Sequence, residues 1–412
     1  MKTSQLPHRL SRGMVARPLA LFACIALGFG APTIASGATG LPASAATVEA
    51  LSDAGTVTSL QPDAWAVLVD LRDRPAATEP RTGRSYRTVA GAYLYSNGAW
   101  FLRFVAHADD SSSAPVARNA IQMLAVFWRS ADRRWGGIWH RLRGQPLHVW
   151  ATRHGEAGAE MWGTSLTIHD AHAPRSGMEW LRQIAHEYGH YLAPGGSGFP
   201  EPESWTNGVL GERLFTSWLR ADLREGTALP SCLPWATQAD VEEYCARQVD
   251  PLLERFREHP PLSADLRRAD RRGFDACVEL LLGFDWLVGG TALLDILEFV
   301  QVRPGQDTRG GDFEAAIFAW IAHRGAVTTR GAGPDGTVRV PLPRGVWRVT
   351  SCTERSGTVD VHRPGWVQPP SGIGNAARLQ WRRVRAEPAP PARTGGARGS
   401  TQPRRSGGAA RR

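Results

Sequence analysis

The stretch MEWLRQIAHEYGHYLAPGG (residues 178–196) is where helix signals and metal-ligand spacing coincide. Ser176 and Glu179 form a capping box just ahead of the apolar run, and Ala193-Pro194-Gly195-Gly196 stops the helix. Between them Trp180, Leu181, Ile184, Ala185, Tyr188 and Leu192 supply an apolar face. His186 and His190 stand four residues apart, so both rings leave one helix face about a turn apart and can reach one ion. Glu187 is rotated from that pair but near it, which suits a carboxylate that takes a proton from water beside the ion. The bland alternative is a helix whose two histidines are satisfied by ordinary hydrogen bonds. An H-E-x-x-H on a well-capped amphipathic helix favours the metal reading.

A zinc site of this kind needs a third protein ligand. A glycine three residues after the second histidine, with a histidine three further on, would supply one. Ala193 and Gly196 occupy those positions, and no Met follows Met178, so that continuation and its Met-turn are excluded. A downstream carboxylate is the other solution, with Glu201, Glu203, Glu212 and Asp222 the near candidates. Glu201 and Glu203 lie in the Pro-broken stretch FPEPES. Glu212 lies in WTNGVLGERLFTSWL, where Val209, Phe215, Trp205 and Leu219 share its stripe. A carboxylate on an apolar face is costly unless partnered, and a metal would be such a partner. Glu212 is therefore the expected third ligand, with Glu203 or a structural ion pair for Glu212 as the alternatives. Gly208 and Gly211 would let this second helix approach the first closely, and Thr216 is a candidate for supporting the ligand shell.

With HEYGH followed by GERLF on a second helix, the chain resembles the gluzincin branch of the zincin metallopeptidases, the thermolysin-like and peptidase-MA-like proteins. The resemblance spans roughly residues 85–325. It implies Zn²⁺ held by His186, His190 and Glu212, with Glu187 as general base in peptide hydrolysis. It also implies an α+β fold: an N-terminal mixed sheet whose edge strand, expected in WGTSLTIHDA (residues 162–171), holds extended substrate, then the active-site helix and a helical subdomain. A Tyr or His that stabilises the oxyanion is part of the pattern, and Tyr244, His259 and His323 are candidates. His169 and His172 are candidates for lining the cleft. The chain departs from the pattern in lacking an Asn-Glu pair at Glu212 and in a slightly longer spacing from His190.

Upstream, AWAVLVDLRD and AGAYLYSNGAWFLRFVAH read as strands, the latter with a hairpin at Ser96-Asn97-Gly98. APVARNAIQMLAVFWRSA has helical spacing, and PLHVWAT and WGTSLTIHDA are strands again. Helices are expected over 203–224, 238–258, 263–288, 291–302 and 312–324. From Gly331, short alternating segments such as GVWRVTSCT and ARLQWRRV indicate a small β module. The expected organisation is a signal peptide over 1–45, a lead-in over 46–84, a zincin-like domain over 85–326, the β module over 327–385 and a disordered basic tail over 386–412.

The formal charge of +9 does not describe the body of the chain. Residues 1–45 contribute +4 and the tail from Ala386, with six Arg and one Glu, contributes +5, so residues 46–385 are formally neutral. The basic balance therefore does not indicate a nucleic-acid-binding face. A basic start, the apolar run LALFACIALGFG and Ala43-Ser44-Ala45 match a cleavable export signal, and no later run is long enough to span a bilayer. Four cysteines remain after cleavage, and an even number in an exported chain leads to an expectation of two disulfides, Cys232–Cys245 and Cys277–Cys352. GGSGF misses the G-x-S-x-G elbow, and there is no phosphate-binding loop or dinucleotide fingerprint. The reading is an exported zinc peptidase acting on peptide or protein. The alternatives are a non-catalytic surface-binding protein on the same scaffold and a zinc amidase acting on a cell-wall link.

Overall fold

The computed structural model describes residues 57–59, 65–71, 74–96, 99–136, 145–301, 306–331, 338–374 and 376–385. The segments expected to be an export signal and a disordered basic tail lie outside these residues. Among them no helix is long and apolar enough to cross a membrane.

Alternation of apolar residues in the first third builds one mixed sheet. Its strands are β1 (Val57–Ser59), β2 (Ala66–Asp70), β3 (Ala77–Thr78), β4 (Ser85–Ser96), β5 (Ala99–Ala108), β6 (Leu147–Ala151), β7 (Gly158–Trp162) and β8 (Ser165–His169). The order is β1-β2-β4-β5-β6-β8-β7, with β3 paired to β4 at one end. The expected hairpin joins β4 to β5, with Ser96 opposite Ala99. β5, β6 and β8 are mutually parallel, which requires a crossover. Helix α1 (Ala114–Trp135), with a proline in its first turn, supplies the one from β5 to β6 and buries Ile121, Leu124, Phe127 and Trp128 against the sheet. A smaller cluster of Val67, Val69, Leu71, Tyr93 and Trp100 is separate from this core.

The edge strand differs from expectation. β8, inside WGTSLTIHDA, is flanked by β6 and β7, and β7 forms the edge, antiparallel to β8. GAEMW escaped notice because only Ala159, Met161 and Trp162 are apolar, and no residue of β7 is fully buried.

Eight further helices follow: α2 (Gly177–Leu192), α3 (Thr206–Arg224), α4 (Gln238–Gln248), α5 (Asp250–Glu258), α6 (Ser263–Leu266), α7 (Arg271–Val288), α8 (Ala292–Asp295) and α9 (Gly310–Arg324). Two expected helices are each divided. Pro251 cannot continue the hydrogen-bond ladder of α4 and instead occupies the first turn of α5. Asp270 caps α7 by accepting from the Gly273 N–H at 3.1 Å, which ends α6 short. α3 begins at Thr206, leaving Glu203 in the preceding loop.

Helices α2 and α3 meet backbone to backbone. A Cβ on Gly211 would lie 2.3 Å from the Cα of Gly189, so neither position has room for a side chain. After α9 come β9 (Ala326–Arg330), β10 (Val340–Leu342), β11 (Gly345–Ser351), β12 (Ser356–Val361), β13 (Gly365–Val367) and β14 (Arg378–Arg385). They form an antiparallel sheet of order β12-β11-β14-β9 and a β10–β13 pair. The main apolar core runs continuously from the first sheet through the helices to Trp347 and Trp381 of the last. The chain is thus a mixed α+β protein with a C-terminal β sheet.

The expected disulfides do not form: Cys232, Cys245 and Cys277 are buried thiols, and Cys352 is exposed. The Cys245 thiol donates to the Thr216 carbonyl at 3.5 Å, and Cys277 packs under Gly196. Small apolar residues serve this core without cross-links.

Candidate metal centre

The capping box forms as read: Ser176 Oγ accepts from the Glu179 N–H at 3.2 Å, and Glu179 accepts from the Ser176 N–H at 2.6 Å. It fixes the first turn of α2, and two turns later the histidines emerge on the side facing α3. His186 Nε2 lies 3.2 Å from His190 Nε2 and 3.1 Å from Glu203 Oε2. His190 Nε2 lies 3.8 Å from the other Glu203 oxygen. One ligand atom from each of His186, His190 and Glu203 falls within 4.8 Å of the others.

Glu212 takes a different place from the one expected. Its Oε2 lies 3.8 Å from His186 Nδ1, the nitrogen that faces away from the cluster. Its Oε1 accepts from Arg182 Nε at 2.7 Å, from Arg213 Nη1 at 2.8 Å and from the Tyr244 hydroxyl. Burial raises the pKa of this carboxyl, but the bond with His186, the Arg213 charge and Tyr244 outweigh it and bring it down to about 2. An apolar-face carboxylate did need partners, and two arginines and a phenol provide them.

The second histidine is held in the same manner. His190 Nδ1 lies 2.9 Å from Asn207 Oδ1, and the Asn207 amide donates back to the His190 carbonyl at 3.2 Å. The Asn207 oxygen on Nδ1 suits a proton there and leaves the His190 Nε2 lone pair for an ion, while Glu212 stands 3.8 Å behind Nδ1 of His186. Space is provided by Gly208 of α3, where a Cβ would lie 2.5 Å from His186 Nε2 and 2.6 Å from His190 Nε2. Two imidazoles and a carboxylate around a side-chain-free position fit a divalent ion of the zinc type.

Glu203 reaches the cluster because its loop is pinned. Ser197 pairs with Trp205, Gly196 N–H donates to Thr206 Oγ1 at 2.7 Å, and Arg309 donates to the carbonyls of Ser197 and Gly198 at 2.8 and 2.7 Å. The proline-rich stretch that reads as loose is tied to the start of α9.

Glu187 is only 7% exposed. Burial pushes its carboxyl pKa up to about 8, against the opposing His186 charge and the Met161 N–H, with Glu203 and Glu160 adding repulsion. Met161 belongs to β7, so the edge strand contacts Glu187 directly. Burial disfavours charge on His186, but its bonds to Glu203 and Glu212 raise its pKa to about 10. An open cleft of about 420 Å³ adjoins the cluster, lined by Arg175, Glu179, Arg182, Gln183, His186, Glu187 and Glu212.

The remaining expected residues lie elsewhere. Tyr244 is committed to Glu212, and burial pushes its phenol pKa up. His259 caps the C-terminus of α5 and is exposed, while the His323 ring packs at 5.6 Å against Phe299, tilted by 52°. His169 pairs with Glu160 of β7 at 2.9 Å, and His172 lies 2.8 Å from Ser112 Oγ. Thr216 bonds back to the Glu212 carbonyl. Arg182, Arg175 and Asn207 are the residues that the sequence reading missed. The first had a signal: Arg182 precedes His186 by four residues and shares its helix face.

No protein-family model matches the chain, and no curated protein does. Among solved structures, the crystal structure of Legionella pneumophila aminopeptidase A in complex with aspartic acid aligns at 10% identity with a TM-score of 0.27. The alignment covers 73% of this chain and 36% of that one, so the chain spans about a third of that protein's length. A likeness this slight says nothing about the chemistry of this chain, which stands on its own residues.

Proposed function

We propose that the protein is a metal-dependent hydrolase of the zincin type, cleaving peptide bonds, with the ion held by His186, His190 and Glu203. The observation that carries this reading is the convergence of two Nε2 atoms and a carboxylate beside buried Glu187. On this reading Glu212 is not a ligand. It orients His186 from behind, as Asn207 orients His190. When bound, the ion supplies Lewis-acid polarisation and a nucleophile usable at neutral pH.

The chain's own residues do the rest. Glu187 accepts the proton of the attacking water and returns it to the leaving amine, and its low-dielectric setting raises its basicity for that task. Arg182, one turn ahead of His186 in the cleft wall, is a cation suited to charge developing on the scissile carbonyl oxygen. The outer edge of β7, beside Glu187, suits an extended peptide laid along the cleft. The basic and apolar start of the sequence supports export.

Glu203 and Glu212 test the assignment separately. Glu203→Gln is expected to lose the ion, because it removes a ligand. Glu212→Gln is expected to keep it with affinity lowered on the order of 10- to 100-fold. Zinc titration of both purified variants decides: loss of metal in the Glu212 variant with retention in the Glu203 variant would reverse the two roles.

A further inference from the structure

The neutrality of residues 46–385 conceals a split. Residues 327–385 carry ten arginines against three carboxylates, an excess of +7, which leaves the same excess of negative charge on residues 46–326. In the α/β part cations are mostly paired, as in Arg220–Asp250 and Arg224–Glu242. In the C-terminal sheet they are set against each other. Arg348 of β11 lies directly opposite Arg382 of β14, and Arg378 of β14 lies directly opposite Arg330 of β9.

These four arginines are exposed, while their strand neighbours Leu379, Trp381 and Val349 are fully buried. Alternation therefore turns Arg348, Arg378 and Arg382 to the outer face of one antiparallel sheet, while Arg330, at the end of its strand, reaches toward α7. Like charges directly opposite across a ladder are destabilising. No carboxylate among the described residues is ion-paired with Arg348, Arg378 or Arg382; nearby Asp360 faces His362 at 4.0 Å. Arg330 lies over the Trp286 ring at 5.7 Å. Between the arginines the same face presents Gln380, which stands opposite Thr350.

We infer that this face binds a linear acidic polysaccharide. Arginine forks suit carboxylate or sulfate groups, and successive outward residues along a strand are about 7 Å apart, so a repeating anion can meet several at once. Amide and hydroxyl side chains between the cations suit sugar hydroxyls. The tryptophans of the sheet, Trp347 and Trp381, point into the core, so the face lacks the aromatic platform that single-stranded nucleic acid uses. Among the described residues of this sheet Val384 is the one large apolar side chain that is exposed, and a lone valine is not the apolar face that anchors a protein in a bilayer surface. The inference does not rest on the metal centre.

The test uses the full chain and two variants: Arg348→Thr with Arg382→Thr, and a chain ending at Arg385, which removes the basic tail. Threonine favours strands, and the exchange relieves repulsion, so the double variant is expected to melt no lower than the native chain. Binding to polygalacturonate is measured at low and moderate salt, beside duplex DNA and phosphatidylglycerol vesicles. The native and shortened chains are expected to bind the polysaccharide with affinity that falls as salt rises, and the double variant to bind on the order of tenfold more weakly or worse. Equal affinity of the double variant, failure of the shortened chain to bind, absence of native binding, or tighter binding to DNA or vesicles than to polygalacturonate would each overturn the inference.

Discussion

At the scale of single residues, Glu187 and Gly208 make opposite demands on the same site. Glu187 is costly to bury, and the proposed function gives it the role of proton transfer rather than that of a ligand. Glu187→Gln is expected to retain one metal and to lose turnover by roughly 10³-fold. Metal analysis alongside peptide-cleavage kinetics checks this, and a variant that kept native turnover would remove Glu187 from the chemistry. At Gly208 a methyl group would stand 2.5–2.6 Å from both Nε2 atoms. Gly208→Ala is expected to abolish metal binding, because the methyl group displaces the two imidazoles from the position where their Nε2 atoms converge, and zinc titration of the purified variant checks this. The histidines and Glu187 were legible because cap, face and spacing are local properties. Glu212 was not, because its partner Tyr244 lies 32 residues away. Sequence showed a carboxylate in need of a partner, but several partners satisfy that need equally.

At the scale of elements, the site depends on how closely α2 and α3 cross. Gly189 and Gly211 put the two backbones in contact, and that contact sets Asn207, Gly208 and Glu212 against the histidine face. Gly211→Ala forces a Cβ to within 2.3 Å of the Gly189 Cα. Overpacking of rigid backbone is expected to destabilise the fold by about 2–3 kcal/mol and to lower metal affinity together with stability. Denaturant unfolding with zinc titration checks this, and loss of neither would mean that the helices can separate at no cost. Close approach was legible in the glycine spacing. The edge position of β7 was not, since its few apolar residues give no clear alternation. The pinning of the Glu203 loop was hidden for another reason: Arg309 lies more than a hundred residues away, so a segment broken by prolines reads as loose when it is not.

At the scale of the whole molecule, Asp285 joins parts that the sequence presents as separate. It sits on α7 and accepts from the Trp218 indole of α3 at 2.9 Å, with Arg134 of α1 and Arg330 of β9 near enough to act on its charge. Burial nonetheless dominates: it raises the Asp285 pKa from 3.8 to about 6, against the bond from Trp218 and the two arginine charges. Between those two values the folded chain holds a proton that the unfolded chain has released, so stability falls as pH rises. The contribution is full below pH 3.8 and gone once pH has passed through about 6. Asp285→Asn keeps an oxygen for the Trp218 N–H and removes the ionisation. The variant is expected to lose this pH dependence and, at neutral pH, to be more stable than the native chain by on the order of 1–2 kcal/mol. Thermal melts of the metal-free protein at closely spaced pH values between 4 and 7 measure the effect. Parallel curves for native chain and variant would mean that Asp285 ionises at its ordinary pKa, and that the junction between the helices and the C-terminal sheet carries no buried proton.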